Sequence, residues 1–505
     1  MMAPNSPTSA SPSGGRWLGA ALFASALLNS GCLMHNVNKD PRPPFELPAA
    51  YSTKAPPDAA DPGAFWLRLN EPELTSLIDQ ALAHNLQLRQ GWARLEQARA
   101  GSRGAMAGLF PRIDSNLSAS RSASPPRIFP DGMGGTREIP SVESDNFSIS
   151  APVSYELDVW GRVRSGMFAA DQDVVAFRAD VEAIAMTIAA TVTERWFDVI
   201  EQRATRKLIE EQMAVSERTL SLVRLRFEDN NATLSDIYQQ QQQIQGMQSR
   251  LTQVAVGERL AETQLALLLG TPARKFIDPA RLALPDPPPL PEVGIPASLL
   301  EMRPDVRAAK ARAIAADYRV AQAIAARMPR FKLSANIGFS SPSLSTLFES
   351  FIWSLGASMG TNIFDGGQAY AAIDRSRAAV DERVAAYGQT MLQAIVEVES
   401  ALARERQQEK RIQLLELQTQ TSERALEAAR RRFAAGIGSY LSTLTALRSL
   451  QGAQQTLLNA RRQLLSQRVQ VYRAMGSRWT TQLTPPQDRN TDASPQRGTR
   501  AEDKR

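Results

Sequence analysis

The chain is poorest in the side chains that do chemistry: its 505 residues include one cysteine, Cys32, and two histidines, His35 and His84. One thiol cannot build a disulfide framework, and this set leaves no cluster able to hold a zinc ion or to pair a cysteine with a histidine base. Aromatic residues make up only 6% of the chain against 43% apolar residues overall, a balance that suits long helices better than a compact aromatic core. A large excess of one charge is also missing. The 58 basic and 52 acidic residues give a net charge of +6, spread along the chain, so nucleic-acid binding has no support. An enzyme would need titratable groups that converge, whereas the carboxylates here are scattered over helix faces, so neither a catalytic residue nor a cofactor is expected.

What the chain does have is a repetition of itself. Pro111-Arg112 recurs as Pro329-Arg330, 218 residues on, whereas Ala151, Gly161, Arg226-Phe227 and Gly270 recur as Ala357, Gly367, Arg432-Phe433 and Gly476, 206 residues on. A tandem duplication therefore underlies residues 85–476. The constant 206 marks a part whose length is fixed. The extra 12 residues of the first copy fall within 124–143, a turn-rich stretch that reads as a hairpin loop free to change length.

Arg16 precedes an apolar run over residues 17–28, which is too short to span a bilayer as a helix and fits the apolar region of a signal peptide. Asn29-Ser30-Gly31-Cys32 follows, so the segment resembles a bacterial lipoprotein signal with Cys32 as the lipidated residue, although Asn29 stands where such signals usually carry leucine. Leu33 after Cys32 implies sorting to the outer membrane. The expected layout is a signal peptide at 1–31, an extended tether at 32–64, a first repeat at 65–284, a Pro-rich linker at 285–296, a second repeat at 297–479 and a disordered tail at 480–505.

Each copy reads as a helix, two alternating segments, a very long helix, a tight turn and a returning helix. Helices are expected near 85–109, 162–227 and 234–269 in the first copy, and near 303–327, 368–433 and 440–475 in the second. A helix over 162–227 would reach roughly 100 Å at about 1.5 Å per residue, which points to a cylinder wall rather than a globule. Strands are expected near 112–122, 145–158, 330–340 and 351–363. In them Phe147, Ile149, Ala151, Val153, Tyr155 and Leu157 alternate with polar residues, as do Phe331, Leu333, Ala335, Ile337 and Phe339 and then Phe351, Trp353, Leu355, Ala357 and Met359. Such alternation gives each strand one greasy and one wet face. No second sheet is on offer to cover the greasy one. Four strands cannot close a barrel, since about eight are the minimum, but three chains would supply twelve. The wet face, rich in Ser, Gly and Asn, would then line water and the other would meet lipid, with Tyr155, Trp160, Phe348, Phe351 and Trp353 as interfacial aromatics.

Four strings in this order, YELDVWGR at 155–162, MRPDVR at 302–307, IFDGG at 363–367 and YRAMGSRW at 472–479, resemble those of the TolC-like outer membrane efflux proteins, in particular their lipid-anchored NodT branch. The resemblance covers residues 65–479. It implies a mainly α protein with a β-barrel part: a homotrimer whose twelve-stranded barrel in the outer membrane continues into a long α-helical barrel in the periplasm. It also implies a passive exit duct for small molecules, docked to a periplasmic adaptor and an inner-membrane transporter driven by protons or by ATP. An exit duct for type I secretion, or a non-conducting coiled-coil lipoprotein, are the competing readings. By resemblance, the periplasmic tip and gate would carry Arg226, Asn230, Asp236, Arg432 and Gly436, with Asp236 facing the lumen and the two arginines in inter-helix ion pairs. Gly161, Gly366 and Gly367 would form the strand-to-helix junctions. The partners implied are two further copies of the chain, the adaptor, the transporter and outer-membrane lipid, with no nucleic acid.

Overall fold

A computed structural model describes residues 35–46, 61, 63–130, 136–272, 282–290 and 302–485. Cys32 and the signal segment 1–31 lie outside the described residues, as do much of the tether, the linker beyond residue 290 and the tail beyond residue 485. The chain divides into two compact units. The first draws on the described parts of Met1–Arg42, Gln97–Val175 and Ala311–Ala385, and the second on Pro43–Glu96, Ala176–Lys310 and Ala386–Arg505.

The first unit is built around an antiparallel sheet. Its strands are β1 (Arg112–Ile113), β2 (Asn116–Ser124), β5 (Val142–Leu157), β6 (Arg330–Ser341) and β7 (Phe351–Gly360). β1 and β2 pair with β5 in a single register, so they are two halves of one strand, and the order is β1/β2–β5–β6–β7. The break at Asp114 and Ser115 has a local cause. It faces Pro152, which has no N–H to give back, so only the Asp114 N–H to Pro152 O bond (3.0 Å) survives there. The register sets every odd-numbered apolar residue on one face: Ile149 beside Leu117 and Phe339, Ala335 beside Val153 and Leu355, Ile337 beside Trp353. The even-numbered face is mostly Ser, Asn and Gly, with Val142, Pro152 and Ile352 as its apolar residues and charged residues only towards the helix end. Ser118 and Ser148 hydroxyls lie 2.8 Å apart across it, and Ser340 donates to Asn146 Oδ1 at 2.9 Å.

The stretch read as a loop at 124–143 is more ordered than turn residues alone suggest, because β3 (Arg127–Pro130) and β4 (Thr136–Ile139) pair as a two-stranded ribbon. Trp160, half-buried, acts as a latch: its indole N–H donates to Pro329 O at 2.8 Å. That bond ties the end of β5 to the start of β6, and so one copy of the repeat to the other.

The helices are α1 (Pro72–His84), α2 (Leu86–Ala107), α3 (Arg162–Glu228), α4 (Leu234–Leu268), α5 (Pro304–Ala326), α6 (Gln368–Ala434) and α7 (Tyr440–Met475). α3 and α6 each hold 67 residues, and their equal length is what the constant repeat shift demands. None of the described helices is long and apolar enough to cross a membrane. α1 was not foreseen. It buries Leu74, Leu77, Ile78 and Ala81, one face at helical spacing, and it begins at Pro72 where the missing N–H is harmless. In the second unit the helices hold together through small apolar clusters separated by polar ties. Gln212 donates to Gln454 at 2.8 Å, and Arg203 bridges Glu258 at 2.7 Å and Glu262 at 3.2 Å.

Candidate functional site

Two kinds of place repeat in the molecule: where strand becomes helix, and where one helix turns into the next. At the first junction Asp158 caps α3, accepting the Val163 and Arg164 N–H groups at 2.9 Å each, while Glu156 takes a bidentate bond from Arg162 at 2.9 Å. Gly161 makes the turn at φ 72°, which a side chain would strain. The second junction solves the same problem with Asp365, which accepts from Gly367 N–H at 2.9 Å and Ala369 N–H at 3.0 Å, and with Gly366 and Gly367 at φ 63° and 89°. Beyond β7, Ile363 and Phe364 are 98% and 90% exposed.

The strings MRPDVR and YRAMG meet in the second unit. Arg303, nearly buried, donates to Ala474 O at 2.8 Å, to Glu397 at 2.9 Å and to Asp305 at 2.7 Å, so one guanidinium caps the last turn of α7 and fixes its approach to α6. Burial alone would lower its affinity for the proton, but the Asp305 and Glu397 carboxylates outweigh that and push it up.

At the tips the repeat is nearly atom for atom. α3 ends with Asn231 N–H on Arg226 O (2.7 Å) and Asn230 N–H on Phe227 O (3.0 Å), and α6 ends with Ile437 N–H on Arg432 O and Gly436 N–H on Phe433 O, both 3.1 Å. Both are Schellman motifs, with Asn230 at φ 61° and Gly436 at φ 74° in the left-handed position. Val223, Ile237, Phe433, Tyr440 and Leu444, one or more from each of α3, α4, α6 and α7, form the core of this end.

The structure corrects one expectation here. Among the described residues Arg226 has no ion-pair partner: it reaches the C-terminus of α6, donating to Phe433 O at 2.6 Å and Ala434 O at 2.8 Å with its guanidinium 4.4 Å from the Phe433 ring centre. The orphan carbonyls and negative end of a helix attract a cation as a carboxylate would, and they are nearer. Arg432 is exposed and has no ion-pair partner among the described residues. Asp236 closes a capping box with Thr233, accepting the Thr233 N–H and hydroxyl on Oδ2 at 2.8 Å each. Sequence reasoning missed Tyr440. Its hydroxyl donates to Gln240 Oε1, and burial, with the Asp236 carboxylate adding to it, pushes the phenol up to about 12, so it stays a neutral donor.

Known proteins share this architecture. The family model described as outer membrane efflux protein matches residues 77–271 and 295–477, one span per copy of the repeat. The chain is 30% identical to the toluene efflux pump outer membrane protein TtgC of Pseudomonas putida, over 92% of this chain and 96% of that one. It is 28% identical to the pyoverdine export outer membrane protein OpmQ of Pseudomonas aeruginosa, over 84% and 89% respectively. The solved outer-membrane channel OprN superposes with a TM-score of 0.79 at 25% identity, covering 89% of this chain and all of that one.

Proposed function

Because the chain belongs to the outer membrane efflux protein family, we infer that three copies form the outer-membrane exit duct of a tripartite efflux pump. One observation carries this reading: a four-stranded sheet with two unpaired edges and an uncovered apolar face. β2 and β7 are exposed along their whole lengths, with Leu117, Trp353 and Leu355 at 70–79% exposure. A sheet like that is not stable alone in water. Pairing β7 of each copy with β1/β2 of the next removes every edge, places the Ser/Gly face around a lumen and gives the apolar face to lipid. Five apolar rows, from Phe331 to Phe339, span about 26 Å along β6 at about 3.3 Å per residue, near the height of a bilayer's apolar band. The cargo is handed over by a periplasmic adaptor and an inner-membrane transporter, with the helical tips at Arg226, Asn230, Asp236, Arg432 and Gly436 as the periplasmic mouth. TtgC and OpmQ are named for toluene and for pyoverdine, so a duct of this family is not tied to one cargo. Detergent-purified protein is expected to run as a trimer and to form ion channels in planar bilayers. A monodisperse monomer without conductance would refute the reading.

Cys32 is proposed as the lipid anchor. His35 Nε2 lies 2.6 Å from Asp317 Oδ1 and the Asn38 N–H donates to Asp317 Oδ2 at 2.7 Å, so the chain from His35 is held to α5. Metabolic labelling with a fatty acid is expected to mark the protein and to miss Cys32→Ser; label retained by that variant overturns the anchor.

A further inference from the structure

The repeated Pro-Arg pair, the first sign of the duplication, has a place in the sheet that the capping and packing above do not use. Pro111 and Pro329 end the helical segments, and Arg112 and Arg330 are the first residues of β1 and β6. The register puts Arg112 opposite Ser154 and Arg330 opposite Gly360, both on the even-numbered, hydroxyl-rich face. Lys332 follows on the same face, between Glu156 and Ser358. All three side chains are exposed.

Their charges are not balanced. Asp114 holds Arg112 at 3.0 Å, and Glu156 is taken by Arg162, which leaves Arg330 and Lys332 with no ion-pair partner among the described residues. Open space adjoins them in both copies. A cavity of about 750 Å³ is lined by Arg327, Arg330, Lys332, Tyr370 and Asp365, whose carboxylate is engaged by the Gly367 and Ala369 N–H groups, and one of about 650 Å³ by Arg112, Glu156 and again Lys332. The Arg327 guanidinium stands over the Tyr370 ring at 4.9 Å. Elsewhere on this face the strands carry uncharged residues, mostly Ser, Asn and Gly, so the fixed charge of the wet surface is concentrated at its helix-side rim.

We propose that Arg112, Arg330 and Lys332 form a basic collar around the lumen where the barrel meets the helices, and that it draws organic anions, such as carboxylates, sulfonates and phosphates, into the barrel. The proposal rests on the trimeric duct. In a closed trimer the duplicated arginines alternate as a pseudo-sixfold ring, and the two uncompensated cations of each chain sum to six. Charge of one sign crowded into a narrow lumen with low-dielectric walls focuses its field and raises the local concentration of counter-charged solutes.

The test reads the local potential directly. Ser358→Cys places a thiol on the wet face opposite Lys332, and Leu355→Cys places one on the apolar face of the same strand. Full-length trimers in liposomes are treated from outside with an anionic sulfonate thiosulfonate reagent and with its cationic trimethylammonium counterpart. The Ser358→Cys thiol is expected to react about tenfold faster with the anionic reagent, relative to the same pair of rates on a free thiol. The ratio should fall towards one in Arg330→Gln/Lys332→Gln, partly so in Lys332→Gln alone, and in all proteins at 1 M salt, where the screening length is about 3 Å. Equal rates in the parent, or a ratio that the glutamine variants leave unchanged, overturn the collar while the duct stands. A Ser358→Cys thiol that neither reagent reaches, with Leu355→Cys modified instead, overturns the duct and the collar with it.

Discussion

Leu355→Arg is expected to abolish trimer assembly, while Ser354→Arg, one residue away, assembles close to normally. Leu355 is 77% exposed and pairs with Ala335, in the third of the five apolar rows between Phe331 and Phe339. That row lies at the middle of the bilayer if the apolar face meets lipid. An arginine at the midplane of a barrel's lipid face costs about 2–4 kcal/mol, and a trimer carries three, so about 6–12 kcal/mol opposes insertion. Ser354 pairs with Asn336 on the opposite face, where a guanidinium stays in water. In an ordinary soluble sandwich Leu355→Arg would also be the harmful change, but there the apolar face would be packed, and a buried arginine would unfold the monomer rather than block assembly. The measurement is the amount of SDS-resistant trimer in the outer-membrane fraction, with circular dichroism of the purified monomer beside it. Equal assembly of the two variants, or failure of both, sinks the assignment of faces.

The two faces were legible from the sequence because a strand's period is two and its residues alternate without interruption from Phe147 to Leu157. The helix ends were legible for a similar reason. Gly436 and Asn230 are the residue types that tolerate a left-handed angle, and both take it. What escaped depends on partners far along the chain. Nothing near Arg226 says that its guanidinium will cap a helix ending more than 200 residues later, and charge alone pointed to carboxylates instead. Nor does anything near Trp160 say that Pro329 O, 169 residues on, will accept its indole N–H. α1 was overlooked because its short apolar face abuts a Pro-rich tether, and the break between β1 and β2 is visible only once Pro152 is known to lie opposite it.

The inter-repeat segment hides a second large effect. Residues 285–296 read as a bare spacer, but prolines leave carbonyls as the only hydrogen-bonding groups of their backbone, and buried carbonyls need donors. Arg468 supplies one to Pro288 O and the Tyr472 hydroxyl another to Pro289 O at 2.9 Å. The same Arg468, 4% exposed, pairs with Glu405, 1% exposed, and with Glu409 at 3.0 Å. Arg468→Met is therefore expected to destabilise the fold by about 3–5 kcal/mol, because Glu405 is left buried without its counter-charge. Arg468→Met/Glu405→Met should recover most of that loss, since two well-packed methionines leave no charge to desolvate. The pH dependence has a definite sign. Burial pushes the Glu405 carboxyl above its ordinary 4.5, with Arg468 pulling it back. Without Arg468 it rises further, so the folded state of the single variant binds a proton more tightly than the unfolded chain does. Its deficit is then largest at neutral pH and shrinks as the pH falls through the raised value towards 4.5. Thermal unfolding of detergent-solubilised trimers between pH 5 and pH 8 reads both effects. A deficit that is the same across that range, or a double variant no more stable than the single one, would mean that Glu405 is not the group left stranded.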